Sequence, residues 1–166
     1  KVRCKNLVFG CPRNRNISSS IDKESIDRIA IHFFKELGEY AVLRGTVVAL
    51  EANPPIYNTN YINDTSAAIE LIHKVNSDGF KLNLDLGTMI QNRESLDELT
   101  GNINLINHVH ISEPGLGSIK HRELHKELSN FLNDNKYDRF ISIEMGTQED
   151  IGALENSMIY IKEIFG

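Results

Sequence analysis

Four short apolar runs in this sequence each end in a side chain that can bind a metal ion, namely Glu51, Asp85, His110 and Glu144. A charged side chain at the edge of an apolar core is costly unless it is paired or bound to a cation. Three carboxylates and one imidazole form a mixed oxygen and nitrogen ligand set that suits Mn, Mg, Co or Zn. We therefore predict that these four residues hold one divalent metal ion.

The spacing of these residues indicates that they belong to consecutive structural units. Positions 51, 85, 110 and 144 are separated by 34, 25 and 34 residues. Each interval is about the length of one strand, one helix and their connections. Strand ends of four consecutive units would converge on one mouth of a parallel barrel, which is the face where active sites lie.

Each residue also has a simpler interpretation when it is taken alone. An acidic residue at a strand end is usually a helix N-cap or a partner in a surface salt bridge. A single histidine in a strand is more often a hydrogen-bonded core residue. The metal hypothesis therefore depends on the four residues occurring together at matching positions of four strands.

The elements that must position these residues alternate along the chain. The predicted strands are Asn6–Gly10, Thr46–Glu51, Phe80–Leu86, Leu105–Ile111 and Arg139–Glu144. Helical periodicity or a helix-start signal predicts helices at Ile21–Arg44, Asp64–Val75, Glu94–Leu99 (a short one), Glu123–Leu132 and Gln148–Ile164. Five strand–helix repeats indicate an α/β protein with a parallel sheet and right-handed crossovers.

Two architectures fit this alternation, an open doubly wound sheet or part of a closed eight-stranded barrel. The segment Gly10–Arg13 after the first strand does not match the GxGxxG pattern of dinucleotide-binding folds. The units average about 33 residues, close to the barrel value of about 250 residues over eight units. We predict one domain over residues 1–166, made of about five βα units of a (β/α)8 TIM-type barrel.

Composition narrows the class of protein. The 166 residues carry a net charge of −5 and no basic stripe, which argues against a nucleic-acid partner. No apolar run has the length of a membrane span, and no signal peptide is recognisable. Cys4 and Cys11 are too few for a disulfide framework, so we expect free thiols and a cytoplasmic location. Residue 1 is Lys rather than Met, so we expect that the beginning of the chain is missing.

The strand ends resemble those of a known family. The segments Leu50–Pro54, Leu84–Met89, His108–Pro114 and Ser142–Glu144 are similar to the four metal-binding strand ends of the xylose-isomerase-like barrel superfamily. That superfamily includes ketose 3-epimerases, hydroxypyruvate isomerases, inosose dehydratases and endonuclease IV. Leu7–Arg15 resembles its fourth strand and the following loop. The resemblance implies that the chain is the C-terminal part of the barrel, strands four to eight, and carries the metal site.

The resemblance also implies a chemistry, that of a divalent-metal-dependent isomerase or epimerase in carbohydrate metabolism. Its substrate would be a small sugar or sugar phosphate. Glu51 and Glu144 would be the catalytic residues, one removing a proton beside a carbonyl and the other returning it. The metal would stabilise the negative charge that develops on the substrate.

Two positions depart from the pattern of the sugar epimerases. Those enzymes usually have His three residues after the metal-binding Asp and Arg six residues after the metal-binding His, whereas this chain has Thr88 and Leu116. Both family residues grip substrate oxygens. The candidate substrate-binding residues here are Asn53, His108, Arg13 and Lys120, with Arg15 as a further candidate. The basic members would suit an acidic or phosphorylated substrate.

Other functions remain open from the sequence. A lyase or dehydratase of the same family would use the same metal and base. An endonuclease-IV-like nuclease would need more histidines at the mouth and a basic DNA-binding face. A non-catalytic partial barrel is also possible, because five strands leave apolar edges at Leu7–Gly10 and Phe140–Glu144 that invite pairing. A partner chain in a homo-oligomer, or the missing N-terminal barrel half, would complete it.

Three features outside the strand ends carry plainer predictions. His73 and His125 lie on predicted helices and are expected at the surface, and His121–Glu127 is expected to be a solvated helix face. The segment Gly115–Gly117 is either the hinge of a mobile lid or a plain loop. None of these features is needed for the metal hypothesis.

Overall fold

The computed structural model describes residues 3–148 and 150–166, in which strands and α-helices alternate. The strands are β1 (Leu7–Phe9), β2 (Val48–Glu51), β3 (Phe80–Asp85), β4 (Ile106–Ile111) and β5 (Phe140–Ile143). The α-helices are α1 (Lys23–Leu43), α2 (Thr65–Val75), α3 (Leu86–Asn92), α4 (Glu123–Asp134) and α5 (Ile151–Phe165). Each strand is followed by one α-helix, as the alternation in the sequence predicts.

The five strands form one parallel sheet in the order β1-β2-β3-β4-β5. Each strand pairs with the next one along the chain, so the strand order never reverses. A doubly wound sheet contains such a reversal, and its absence among the described strands identifies the sheet as a half-barrel. The prediction of a partial TIM-type barrel with about five βα units is confirmed.

The register of the sheet brings several polar side chains to the same level. Glu51 on β2 is paired with Asn83 on β3, Asp85 is paired with His110 on β4, and His110 is paired with Ser142 on β5. In-register residues of neighbouring parallel strands point to the same face of a sheet. These side chains therefore share the inner face near the carboxyl ends of the strands.

Aspartate side chains begin four of the five α-helices. Asp22, Asp64, Asp85 and Asp150 are the N-cap residues of α1, α2, α3 and α5, and each accepts a hydrogen bond from a backbone N–H in the first turn. An aspartate at this position satisfies a donor that has no partner within the helix. Asp64 is thus the cap of the helix that the sequence predicts over Asp64–Val75.

The apolar core lies between the outer face of the sheet and the helices. Phe34 of α1 stacks on Phe80 of β3 with 4.4 Å between ring centroids. Leu82 and Leu84 of β3 and Ile72 of α2 are almost completely buried in the same core. Each fully buried side chain of this size contributes about 1.5–3 kcal/mol. This layer fixes the strand ends that carry the polar residues.

Helix α3 was missed by sequence reasoning, which extended the third strand to Leu86. The first residues of α3 include Gly87 and the β-branched Thr88, which have low helix propensity. The Asp85 cap and complete burial of Leu86 and Met89 outweigh that propensity. The predicted short helix after α3 is a 3-10 turn, Leu96–Leu99.

One of the two predictions for helical histidines is wrong. His73 is exposed as expected, but His125 has no exposed surface, and its Nδ1 lies 3.1 Å from the Tyr160 hydroxyl because α4 packs against α5. Burial lowers the pKa of His125 to about 4. The prediction that His121–Glu127 is a solvated helix face also fails in part. Arg122 donates to the buried carboxylate of Glu113, from Nε at 2.7 Å and from NH2 at 2.5 Å.

The outer strands of the sheet leave apolar side chains uncovered. Val8 on β1 is 40% exposed, and Phe140 on β5 is 71% exposed. A groove of about 1230 Å³ lies along β5 and α5, with Met158 and Ile159 among its lining residues. Within residues 3–148 and 150–166, no helix is both long enough and apolar enough to cross a membrane.

Replacing Gly79 by alanine should destabilise the fold. Its Cβ would lie 2.0 Å from the carbonyl oxygen of Gly38 on α1, where two backbone segments meet. We expect Gly79→Ala to lower the free energy of unfolding by about 2–3 kcal/mol, because the helix must move off the sheet. Urea unfolding measures the change. Gly117→Ala is the control, since its nearest neighbouring atom would be 3.9 Å away. Equal midpoints for the two variants would contradict the prediction.

Candidate metal centre

The four predicted metal ligands come together at the mouth of the half-barrel. One ligand atom each from Glu51, Asp85, His110 and Glu144 lies within 4.8 Å of the other three. Glu51 and Asp85 end β2 and β3, His110 is the fifth residue of β4, and Glu144 follows β5 directly. Four consecutive units of the sheet thus contribute one side chain each to a common centre.

The imidazole of His110 lies between two carboxylates. Its Nδ1 is 3.0 Å from Glu51 Oε2 and 3.2 Å from Glu144 Oε2. Both distances allow an ion pair, but a ring N–H would not point at either oxygen well enough for a hydrogen bond, and the nitrogen is buried. Burial alone would lower the pKa of His110, but the two carboxylates so close to its ring, those of Glu144 and Glu51, raise it to about 10.

Glu51 is buried and held by two side-chain amides. Its Oε1 accepts a hydrogen bond from Asn53 Nδ2 at 3.0 Å, and its Oε2 accepts one from Asn83 Nδ2 at 2.7 Å. The carboxylate also passes close to Gly10, where an added Cβ would lie 2.6 Å from Oε1. The lack of a side chain at Gly10 therefore leaves the space that the carboxylate occupies.

Asp85 is both a member of the cluster and the N-cap residue of α3. Its Oδ1 accepts a hydrogen bond from the Thr88 N–H at 2.6 Å, and its Oδ2 accepts one from the Ser112 hydroxyl at 2.5 Å. Ser112 in turn accepts a hydrogen bond from the Gly87 N–H at 2.8 Å. Burial, with a smaller contribution from the charge of Glu51, raises the pKa of Asp85 to about 6. The hydrogen bonds to Oδ1 and Oδ2 fix the orientation of the carboxylate.

Glu144 is more accessible than Glu51 and His110. It is 39% exposed, compared with 9% for Glu51 and 13% for His110. Its N–H donates to the carbonyl of Ile111 at 2.9 Å, which prolongs the pairing of β4 with β5. Apart from the ion pair with His110, its carboxylate forms no salt bridge or side-chain hydrogen bond in the described parts of the chain. Glu144 is therefore placed by its backbone and is freer than Glu51 to reorient.

The chemistry of this cluster fits a divalent cation. Three carboxylates at such short range repel one another, and a cation between them removes that repulsion. The set offers carboxylate oxygens and one imidazole nitrogen, which are ligands of Mn, Mg, Co and Zn. The buried Nδ1 of His110 faces this centre without a hydrogen bond of good geometry. A metal ion would give that nitrogen a partner.

Two of the predicted substrate-binding residues lie beside the cluster. Asn53 is buried and is bound to both Glu51 and Arg15. The Nε2 of His108 lies 2.6 Å from the Ser142 hydroxyl, and its Nδ1 is buried without a hydrogen-bond partner in the described ranges. Its ring centroid is 5.3 Å from that of His110. Burial, and then the proximity of His110, lower the pKa of His108.

The basic candidates differ from one another in exposure. Arg13 and Lys120 are exposed residues in the loops after β1 and β4. Arg15 is buried, and its NH1 donates to the carbonyl oxygen of Glu51 at 2.9 Å while its NH2 donates to Asn53 Oδ1. Arg15 is thus bound within the protein, whereas Arg13 and Lys120 are accessible to a ligand.

Sequence reasoning missed three residues that shape the cluster, Gly10, Asn83 and Ser112. A usable signal existed for two of them. Asn83 lies two residues before Asp85 and Ser112 lies two residues after His110, and residues two apart on a strand share a face. The role of Gly10 had no such signal, because it depends on the approach of Glu51 from the neighbouring strand.

The loops at the mouth are bound directly to each other. The Tyr57 hydroxyl accepts a hydrogen bond from the Gly115 N–H at 2.9 Å, and the Leu116 carbonyl accepts one from the Gly146 N–H at 2.8 Å. Gly115 and Leu116 both adopt left-handed backbone conformations, with φ of 72° and 57°. These contacts favour the plain-loop alternative for Gly115–Gly117 over a mobile hinge.

Comparison with known proteins identifies the family. The sequence profile of the xylose isomerase-like TIM barrel matches residues 2–164. The chain belongs to the xylose isomerase-like TIM barrel family. No curated protein sequence matches the chain significantly.

Solved structures share the fold at low sequence identity. A D-psicose 3-epimerase crystallised in the presence of D-fructose is 14% identical, with a TM-score of 0.78 over 98% of this chain and 65% of that one. The 3-keto-D-glucoside 4-epimerase YcjR from E. coli is 21% identical, with a TM-score of 0.75 over 95% and 60%. The IOLI protein with a bound zinc atom is 19% identical, with a TM-score of 0.72 over 98% and 64%. The chain thus spans less than two thirds of the length of these xylose isomerase-like relatives.

Replacing Gly10 by alanine should weaken metal binding. The new methyl group would displace the Glu51 carboxylate from the position in which Asn53 and Asn83 hold it. We expect the Mn(II) dissociation constant to increase about tenfold or more, by analogy with the loss of a residue that orients a ligand. The free energy of unfolding should also fall, by about 1–3 kcal/mol, which is the usual cost of an added group in a packed site. Calorimetric titration and urea unfolding measure the two effects, and unchanged Mn(II) affinity would contradict the prediction.

Metal affinity should increase with pH. The metal-free protein holds a proton on His110 at neutral pH, because its pKa is raised to about 10. A cation that binds Nδ1 must displace this proton, so affinity rises as pH approaches 10, by at most about tenfold per unit. Calorimetry of Mn(II) binding in two buffers of different ionisation enthalpy should detect release of about one proton per cation. Equal affinity at pH 7 and pH 8.5 would contradict the prediction that the cation displaces a proton from His110.

Proposed function

We propose that this chain carries the divalent-metal centre of an isomerase or epimerase that acts on a small sugar or sugar phosphate. The observation that carries the proposal is the convergence of Glu51, Asp85, His110 and Glu144 within 4.8 Å. Family membership supports it, as do the names of the two epimerases and of the zinc-containing IOLI protein that share the fold.

In this proposal the same four residues hold the cation, which would be Mn, Mg, Co or Zn. The cation supplies Lewis-acid polarisation of the substrate carbonyl when it is bound. Asp85 and His110 bind the cation and have no other role in the reaction. Asp85 is fixed by Thr88 and Ser112, and this suits a residue whose only role is to bind the cation.

Glu51 and Glu144 serve as the acid–base pair. A carboxylate within hydrogen-bond reach of a carbon-bound proton beside a carbonyl can remove it. Glu144 is the accessible member and takes the proton, whereas Glu51 is held by Asn53 and Asn83 and presents a fixed oxygen on the other side of His110. Return of a proton from the opposite carboxylate inverts the carbon, and return at the neighbouring position gives an isomer.

Substrate recognition is assigned to the side chains around this pair. Arg13 and Lys120 are exposed at the loops and bind hydroxyl or phosphate oxygens of the substrate. Asn53 and His108 lie next to Glu51 and His110 and contribute hydrogen bonds near the reacting carbons. In this proposal the substrate is a small carbohydrate and not a nucleic acid.

A lyase of the same family, such as a dehydratase, is the second candidate. The observation that favours it is the position of Thr88, whose hydroxyl donates to the Ala52 carbonyl at 2.9 Å and is buried. The histidine that sugar epimerases usually have at this position is absent, and Thr88 cannot replace its contact with substrate. The metal and the base would be the same, but the reaction would expel water.

The uncovered apolar surface supports a larger assembly. Val8 and Phe140 point from the two outer strands into the interior that a closed barrel would fill, and a groove runs along β5 and α5. We propose that three further βα units, from the same chain or from a partner chain, pair with β1 and β5 in the active protein. The substrate pocket would then take residues from those units as well.

Titration of Mn(II) into the purified protein tests the metal centre. We expect one ion per chain to bind, and this binding to be lost in the Glu144→Gln, His110→Ala double variant. The Glu36→Gln, His32→Ala double variant is a matched control, since these exposed residues form a similar pair on α1, 3.7 Å apart. Equally weak binding by the wild type and both double variants would refute the metal centre.

The reaction is tested by incubating the Mn(II)-loaded protein with ketoses, hydroxy acids and their phosphates in heavy water. An isomerase or epimerase incorporates deuterium beside the carbonyl, and a dehydratase forms a product that has lost water. Glu144→Gln should abolish either signal. Light scattering on the same sample reports whether the chain is monodisperse. Tight metal binding without turnover would identify a partial barrel that needs its further units.

A further inference from the structure

The loops after β1 and β2 are held together by a series of hydrogen bonds. Ile17 N–H donates to Asn60 Oδ1 at 2.8 Å, and Asn60 Nδ2 donates back to the Ile17 carbonyl at 2.9 Å. The Thr59 hydroxyl donates to the Arg15 carbonyl at 3.1 Å, and Asn16 Nδ2 donates to the Asn58 carbonyl at 2.5 Å. The backbone around Arg15 is thus held in place independently of the contacts that the Arg15 side chain makes.

The side chain of Arg15 reaches Glu51 by two routes. Its NH1 donates directly to the Glu51 carbonyl oxygen at 2.9 Å. Its NH2 donates to Asn53 Oδ1, and the same amide donates through Nδ2 to Glu51 Oε1 at 3.0 Å. One guanidinium therefore holds both the backbone of Glu51 and, through Asn53, its carboxylate.

The charge of Arg15 has no direct counterpart. The residue is only 6% exposed, and its hydrogen bonds go to a backbone carbonyl and an amide oxygen rather than to a carboxylate. In the described ranges it forms no salt bridge, and its Nε has no hydrogen-bond partner. A buried, unpaired cation costs several kcal/mol unless a negative potential offsets that cost. The nearest source is the carboxylate of Glu51, one amide group away.

The metal centre needs such a charge. Three ionised carboxylates bring a charge of −3, and a divalent ion with a neutral His110 leaves −1. The positive charge of Arg15 brings the buried assembly to neutrality. A guanidinium is suited to this role because it stays protonated when buried and because its planar fork can bind two acceptors at once.

We propose that Arg15 is a positioning residue of the metal centre, which orients the Glu51 carboxylate through Asn53 and offsets the residual negative charge of the loaded site. This inference rests on the proposed metal centre. It also removes Arg15 from the candidates for gripping substrate, because the residue is only 6% exposed and its guanidinium binds Glu51 and Asn53 within the protein.

The test compares Arg15→Gln, Arg15→Lys and Asn53→Ala with Arg28→Gln. Arg28 is an exposed arginine on α1 that pairs with Glu24, so its replacement removes the same charge away from the site. Three quantities are measured for each variant: the Mn(II) dissociation constant, the EPR spectrum of bound Mn(II), and the thermal unfolding of the metal-free protein in a chelator.

Arg15→Gln should raise the Mn(II) dissociation constant about 10- to 100-fold, as expected when a residue that orients a ligand is lost. Arg15→Lys should recover part of this loss, because it restores the charge but not the fork. Asn53→Ala should weaken binding and alter the EPR spectrum. The Arg15→Gln, Asn53→Ala double variant should be little worse than the poorer single variant, because the two residues act in series.

Two failures of this test are distinguishable. If the wild type binds no Mn(II), the metal centre itself is refuted. If the wild type binds Mn(II) and Arg15→Gln binds it as tightly as Arg28→Gln does, with an unchanged EPR spectrum, the metal centre stands and the role of Arg15 is overturned. Should Arg15→Gln fail to fold, Arg15→Lys and Asn53→Ala decide the matter by the same criteria.

Discussion

Mutual repulsion of three carboxylates is the constraint on which the mouth of this half-barrel depends. Two unit charges 4 Å apart interact by about 4 kcal/mol at the effective dielectric constant of a protein surface. Glu51, Asp85 and Glu144 lie within such a range of one another around His110. The sheet register imposes this arrangement, since each carboxylate is placed by the strand that precedes it. A positive charge at the centre, carried by a proton or a cation, is what makes the arrangement tolerable.

The surrounding hydrogen bonds act against the same repulsion. Asn53 and Asn83 donate to Glu51, while the Thr88 N–H and the Ser112 hydroxyl donate to Asp85. Hydrogen bonds to the ionised form of a carboxylate favour that form and limit its rotation. Only Glu144 lacks such support in the described ranges. Glu51 and Asp85 are thus fixed, and Glu144 is freer, because of the hydrogen bonds that each strand end makes with its neighbours.

The sequence was sufficient to predict the main architecture and the four residues of the cluster. Five apolar runs at regular spacing identified the strands, and the polar residue that ended each of four runs identified the mouth. These features are local, because a few adjacent residues determine where a strand forms and where it ends. The family resemblance added a further prediction, that these strands are strands four to eight of a larger barrel. Strand β5 was predicted to within one residue at each end.

The features that escaped prediction depend on contacts between distant residues. His125 was expected at the surface, but its burial follows from the packing of α4 on α5 and from Tyr160, which is 35 residues away in the sequence. The bond from Arg15 to Glu51 spans 36 residues. Asn83 owes its role to a contact with Glu51, which is 32 residues away in the sequence. The alternation of β3 places Asn83 on the same face as Asp85, but it does not reveal that partner.

The hydrogen bonds of Tyr57 with Gly115, and of Leu116 with Gly146, have a consequence for how this protein can diversify. Loops of a barrel usually vary independently on a constant scaffold, which lets new specificities arise by changes in one loop at a time. Here three of the loops are joined by two hydrogen bonds, one from the Gly115 N–H to the Tyr57 hydroxyl and one from the Gly146 N–H to the Leu116 carbonyl. An insertion in one of them would disturb the anchoring of the next. Changes in the shape of this mouth would therefore need concerted substitutions across neighbouring units.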